Sequence, residues 1–287
     1  MTRAMMFAAA LLAVVPATAS AQTWRTLDVS RQLHDTSELH VNVQYAAGRF
    51  DLRAATQPVL YSMHLRYDED RTSPLHKFDV DARTLNIGVS NVSTSWSDRH
   101  SDDRNKAQMN LSLAPSVPMD LSLTLGATQA DIDLGDLTLR GLHVESGAAD
   151  ETIDFSSPNR ARLGAATINI GAANFVGHNL ANANASSLRV KGGVGAVDLG
   201  FGGVWTGDLS ADVQVTLGKV TLHIPRDVGV RLDMQRFITS FDNDGLVKRD
   251  GYYFSDNWDT ATYHLRVHVE TALGGIVIDR FGSSGQP

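Results

Sequence analysis

The sequence predicts an all-β protein, a repetitive solenoid-like β-sandwich preceded by a smaller β module. Three observations predict it. Apolar and polar residues alternate with period two through nearly the whole chain, glycines recur at a near-constant interval, and no stretch beyond the N-terminal segment reads as an amphipathic helix.

The first element in chain order is a leader. Arg3 supplies a positive start, residues 5–15 run without a charge, Pro16 breaks the run, and Ala17-Thr18-Ala19-Ser20-Ala21 follows. That is the layout of a secretory signal, with Ala19-Ser20-Ala21 as the recognition site and cleavage expected before Gln22. The apolar run is shorter than the roughly 20 residues that span a bilayer core. No cysteine follows it, so the chain is not expected to be a lipoprotein, and no later stretch approaches membrane-spanning length. The expectation is a periplasmic or secreted protein without an integral membrane segment after signal cleavage.

Strands come next. Leu39, Val41 and Val43 alternate with His40 and Asn42, and the same pattern returns at Leu111-Ser112-Leu113, Leu121 to Leu125 and Ile132-Asp133-Leu134. Further strands are read at Ile168-Asn169-Ile170, Val213 to Leu217, Val220 to Ile224, Tyr263 to Val269 and Ile276-Val277-Ile278. Pro115 and Pro118 interrupt the pattern and suggest a boundary. The expected division is a signal peptide over 1–21, an N-terminal β module over 22–114, a β-repeat domain over 115–281 and a disordered tail over 282–287. Residues 94–106, rich in Asp, Arg and Lys, read as a solvated hairpin tip.

The repeat is read from Gly126, Gly147, Gly171, Gly195 and Gly218, spaced 21, 24, 24 and 23 residues apart. Most precede a short apolar-polar-apolar strand such as Ile132-Asp133-Leu134 or Val197-Asp198-Leu199. Each turn of a stack needs a corner residue that packs closely under its neighbour, and glycine does so at least cost. A glycine-rich antiparallel sandwich with coincidental spacing is the alternative.

Composition narrows the function. There is no cysteine, hence no disulfide framework, zinc knuckle or thiol nucleophile. The net charge is −7, or −8 once Arg3 leaves with the leader, and no basic run exists. Nucleic acid is therefore excluded as a partner, and adhesion to anionic lipid gains no support. Gly192-Gly193-Val194-Gly195-Ala196 runs into another strand rather than opening a helix, so it is not a phosphate-binding loop. His264 and His268 lie about 13 Å apart on a strand, too far for one metal ion. Asp242-Asn243-Asp244-Gly245 and Asp131-x-Asp133-x-x-Asp136 hint at calcium without completing a ligand set, and the first reads as a hairpin turn. Gly-x-Ser-x-Gly is absent. Asp131, Asp133, Asp154 and Asp198 occupy related repeat positions and could form an acidic ladder, which motivates a carbohydrate-active lyase or hydrolase as the alternative function. Trp96, Trp205 and Trp258 are possible sugar platforms, with burial the competing reading for Trp205.

The second half carries a resemblance. Gly171-Ala172-Ala173-Asn174-Phe175, Asp198-Leu199-Gly200-Phe201-Gly202-Gly203, Leu217-Gly218-Lys219-Val220-Thr221-Leu222-His223-Ile224-Pro225 and Gly274-Gly275-Ile276-Val277-Ile278 succeed one another in order. Together they resemble bacterial toast-rack domains, including the LiaF-like C-terminal domain and the adhesin group. Tyr67-Asp68-Glu69-Asp70-Arg71 and Leu85-Asn86-Ile87 look like the module preceding such domains. The resemblance implies stacked, solenoid-like strands without established catalytic residues. LiaF-like proteins are associated with envelope-stress signalling but carry membrane helices that this sequence lacks. No catalytic, cofactor or metal residue is therefore assigned. The expected function is a non-enzymatic exported scaffold or binding protein of the cell envelope, its partner an envelope protein or a cell-surface glycan.

Overall fold

A computed structural model describes residues 23–91 and 107–282. The expected leader, most of the expected tail and the tip at 94–106 with Trp96 lie outside these residues. The first strands are β1 (Trp24–Gln32), β2 (Leu39–Ala54), β3 (Val59–Asp68), β4 (Thr72–Asp79), β5 (Thr84–Asn91) and β6 (Gln108–Leu113). They are followed by β7 (Pro118–Asp133), β8 (Thr138–Ser146), β9 (Asp150–Asp154), β10 (Leu163–His178), β11 (Ala185–Gly200) and β12 (Leu209–Pro225). The last are β13 (Gly229–Asn243), β14 (Leu246–Arg249), β15 (Tyr252–Ser255) and β16 (His264–Phe281). Among the described residues the one helical element is a short 3-10 turn, Leu180–Ala183. The fold is all-β, as the alternation predicts.

Strands β2, β7, β10, β11, β12, β13 and β16 run 15 to 18 residues, and each has two arms, one on either side of a corner, within a single 16-stranded sheet. The first arm of β2 pairs with β5 and its second arm with β6, while β7 pairs with both arms from the other side. β8 and β9 together play the part that one long strand plays elsewhere, both pairing with β7 and with β10. From β2 to β13 the stack is parallel, in the order β2-β7-β8-β10-β11-β12-β16-β13. The last strand of the chain thus lies between β12 and β13, although β13 precedes it in sequence.

The alternation changes phase where the arms meet. In β7 the buried hydrophobic residues are Met119, Leu121, Leu123 and Leu125, then Ala130 and Ile132. In β12 they are Leu209, Ala211, Val213 and Val215, then Val220, Leu222 and Ile224. The corner therefore reverses which parity faces inward, and both arms feed one apolar core that includes Phe50, Phe155, Phe175 and Phe201.

The corners explain the glycine interval. A Cβ on Gly218 would stand 1.7 Å from Gly195 O, and one on Gly274 would stand 1.6 Å from Gly218 O. Both have positive φ, +154° and +141°, which favours glycine. Earlier in the stack, Cβ atoms on Gly126, Gly171 and Gly193 would meet the carbonyls of Ala46, Gly147 and Gly171. One assignment from the repeat is corrected. The residue stacked on Gly171 is Gly193, because β10 sets Ala173 opposite Gly195. β11 carries two corner glycines, and Gly195 begins the column that continues through Gly218 and Gly274.

Asparagines hold the return turns. Asn159, 4% exposed, accepts from Leu139 N (2.9 Å) and donates to Leu139 O (2.9 Å) and Ala183 O (3.2 Å). One repeat later, Asn182 donates to Phe155 O (2.8 Å) and accepts from Val204 N (2.8 Å). Each side chain replaces the strand partners that the turn's backbone lacks.

Glu151 is a deeply buried acid, 2% exposed, and its carboxylate accepts from the Ser146 hydroxyl. Burial pushes its pKa up to about 7, against the smaller opposing effect of that hydrogen bond.

Two predictions follow from these contacts. Gly218→Ala should cost more than about 3 kcal/mol by chemical denaturation. Gly164→Ala, where a Cβ meets nothing within 4 Å, should stay within about 0.5 kcal/mol of the parent. The folded chain holds the Glu151 proton more tightly than the unfolded chain, so that stabilisation is full below about pH 4.5 and is lost as pH rises through about 7. Relative to Glu151→Gln, the parent should lose about 3 kcal/mol between pH 4.5 and pH 8, read from paired denaturation curves at each pH.

Candidate functional site

The outward face of the first-arm sheet carries a trough of about 350 Å³ across β10, β11, β12, β16 and β13. Strict alternation builds it. In β16 Leu265, Val267 and Val269 are buried, which leaves His264, Arg266, His268 and Glu270 on the outer face. Register then aligns side chains from five strands in rows. Ala165, Ser187, Ser210, Arg266 and Arg231 form one row, and Thr167, Arg189, Asp212, His268 and Asp233 form the next. The small residues of the first row give the trough its floor, and the arginines at the β16–β13 end give it a wall.

Most of the charges in the trough are paired across strands. Arg189 Nε lies 3.4 Å from Asp212 Oδ2, and His268 Nδ1 lies 3.0 Å from Asp233 Oδ2. Arg266 Nη1 donates to Asp208 Oδ2 at 3.0 Å, and Asp208 Oδ1 accepts from the His264 backbone amide at 3.0 Å. Desolvation opposes ionisation of Asp208, but Arg266 and the His264 amide outweigh it and hold its carboxyl below the ordinary value. The guanidinium of Arg231 lies 5.0 Å from the Tyr252 ring centre, and that of Arg266 lies 5.7 Å from Trp258. Guanidinium, carboxylate and hydroxyl groups thus converge beside two aromatic rings. Such a surface offers many directional hydrogen bonds to a polar, hydroxyl-rich ligand.

The residues singled out in the sequence are distributed differently. His264 and His268 sit on one face of β16 but engage different carboxylates, Asp208 and Asp233. Of the four ladder aspartates, only Asp133 and Asp154 are opposite one another. Asp133 accepts from the Ser156 hydroxyl (2.7 Å), Asp154 from Asn179 Nδ2 (2.8 Å), and Asp131 pairs with Arg53 (3.3 Å). Asp198 pairs with His223 (3.1 Å), whose other ring nitrogen lies 2.8 Å from Asp279. Desolvation works against the charge on His223, yet the two carboxylates raise its pKa.

Asp242 and Asn243 end β13, and Asp244-Gly245 leads into β14, which pairs with β15 rather than with β13. The stretch is therefore a link between strands and not a hairpin turn. Asn243 bonds Leu246 in both directions, and Asp244 pairs with Arg226 at 2.8 Å. The residues of the other calcium-like stretch diverge, Asp136 turning back with φ +61°. Among the described residues no group of three His, Asp or Glu side chains is placed to hold a metal ion. Trp205 is 6% exposed, and its Nε1 donates to Phe201 O. Trp258 is half-buried, packed edge-on against Phe254 and His264. Sequence reasoning missed the grouping of Arg189, Arg231 and Arg266, which only the register brings together. It also missed the turn asparagines, although Asn159 and Asn182 are 23 residues apart, close to the glycine interval.

Comparison with known proteins supplies the family. No protein of curated function matches the sequence. A candidate cell adhesion protein of Clostridium sporogenes is similar in structure, with TM-score 0.47 and 16% identity, over 91% of this chain and 100% of that one. A candidate adhesin of Bacteroides fragilis gives TM-score 0.36 and 10% identity over 90% and 98% of the two chains. A candidate lipid binding protein of Parabacteroides distasonis gives 0.27 and 9% over 90% and 96%. The N-terminal domain of toast_rack, DUF2154, matches residues 18–176, more than half of the chain. With the stacked, corner-glycine architecture, that match makes the chain a member of the toast-rack family.

Proposed function

We propose that this protein is an exported, non-enzymatic binding protein of the cell envelope that holds surface glycan on the outer face of its first-arm sheet. One observation carries the reading: the trough in which Arg189, Arg231, Arg266, Asp212 and Asp233 surround a floor of Ser187 and Ser210. Hydroxyl-rich ligands are recognised by such fixed donors and acceptors. Export rests on the leader at 1–21, whose removal leaves Gln22 as the first residue. The ladder aspartates favour no catalytic reading, since each is committed to a neighbouring side chain.

The test is titration calorimetry of the secreted chain against polysaccharide fractions from the native envelope. Binding is expected, with affinity falling about tenfold or more in Arg231→Ala plus Arg266→Ala while the circular dichroism spectrum is unchanged. No binding to any fraction would remove the reading. Shortening of the bound polysaccharide would replace it with a carbohydrate-active enzyme.

A further inference from the structure

The two rows of the trough differ in how they place charge. Across β11, β12, β16 and β13 the second row runs Arg189, Asp212, His268, Asp233, so basic and acidic residues alternate. Each basic residue of that row meets a carboxylate, Arg189 at Asp212 and His268 at Asp233. The first row, two residues earlier on each strand, runs Ser187, Ser210, Arg266, Arg231. Two hydroxyls are followed there by two guanidiniums directly opposite one another. Like charges in that relation destabilise a sheet.

No carboxylate of the trough offsets this pair. Three arginines and two aspartates line it, and both aspartates are engaged in the second row. Asp208, just before β12, takes Nη1 of Arg266 at 3.0 Å, the one side-chain hydrogen bond that Arg266 makes among the described residues. Arg231 makes no hydrogen bond or ion pair among the described residues, and its guanidinium lies 5.0 Å from the Tyr252 ring centre. Trp258 stands in the same relation to Arg266, at 5.7 Å. A guanidinium placed against a ring keeps its N–H edge for a planar or tetrahedral anion.

The spacing of the row suits one acidic group with hydroxyls beside it. Neighbouring strands lie about 4.8 Å apart, so a single anion reaches both Arg266 and Arg231. Hydroxyls of the same ligand then fall over Ser210 and Ser187. A neutral sugar would leave the two guanidiniums facing each other, whereas an anionic one removes their repulsion. That relief favours the charged ligand.

We propose that the ligand of the trough is an acidic polysaccharide, whose carboxylate or phosphate group bridges Arg231 and Arg266. The proposal rests on the glycan reading of the trough and adds the charge of the ligand. Titration calorimetry of the secreted chain against polygalacturonate, poly(glycerol phosphate) and dextran tests it, since these carry carboxylate, phosphate and no charge. At least one polyanion should bind about tenfold or more tightly than dextran, and which one does identifies the acidic group. Arg231→Gln should weaken that binding about tenfold and flatten its dependence on salt. Its thermal melt should match or exceed the parent's, because a like-charge pair is relieved. Lys77→Gln, an equal loss of charge on β4 at the far end of the stack, should leave affinity within about twofold. Dextran binding as tightly as both polyanions overturns the proposal and leaves the glycan reading standing. Equal losses in Arg231→Gln and Lys77→Gln overturn it as well, since they show attraction to the whole chain and not to this row. Binding of none of the three polymers also overturns it, while the glycan reading is decided by its own titration against native envelope fractions.

Discussion

The close approach of backbone to backbone at the corners is the contact on which the rest of the structure depends. Strands stacked in parallel bring each corner directly over the carbonyl of the one before it. At Gly218 and Gly274 that carbonyl occupies the place a Cβ would take. A side chain there would push neighbouring strands apart, and with them every hydrogen bond of both arms. Glycine therefore spaces the chain in units of one coil. The corner also reverses the inward parity, so that Val213 and Val215 on one arm and Val220 and Leu222 on the other enter the same core.

Regular stacking has a second consequence. Equivalent positions on successive strands fall opposite one another, so polar residues meet in rows rather than in isolated pairs. On outer faces the rows are filled by complementary charges. Arg189 meets Asp212, His268 meets Asp233, and His223 lies between Asp198 and Asp279. Such exposed pairs add little each to stability. Their effect is on register, since a slip of one residue would separate these pairs and turn apolar side chains outward. Inside the turns, where no strand partner exists, Asn159 and Asn182 supply the missing donors and acceptors. The trough arises where a row of small residues, Ala165, Ser187 and Ser210, interrupts this covering of long side chains.

Much of the fold was legible because its signals are local. The alternation of Leu265, Val267 and Val269 with Arg266 and His268 is a direct statement about strand faces, and β16 obeys it. The glycine interval revealed a stack before any pairing was known. It misassigned one corner, since Gly193 and Gly195 stand two residues apart and either keeps the interval within its scatter. Only the pairing of β10 with β11 distinguishes them. The trough was not legible. Arg189 and Arg266 are 77 residues apart, and nothing near either marks the other as a neighbour. The ladder aspartates illustrate the converse, positions alike in the repeat whose side chains turn to different local partners.

By itself the sequence determined the β class, the absence of disulfides, the corner interval and the inward face of the strands whose alternation is plainest, such as β2, β7, β12 and β16. These follow from the pleat of an extended chain and from the sterics of a single residue, which operate over a few positions. The tertiary structure alone decided which strands are neighbours. It placed β16 between β12 and β13 and brought Arg231 and Arg266 to one wall. The physical reason is that every strand of the stack carries nearly the same alternating pattern. The pattern fixes how a strand faces the core but is equally satisfied by several lateral neighbours, and the choice among them is made by long-range packing.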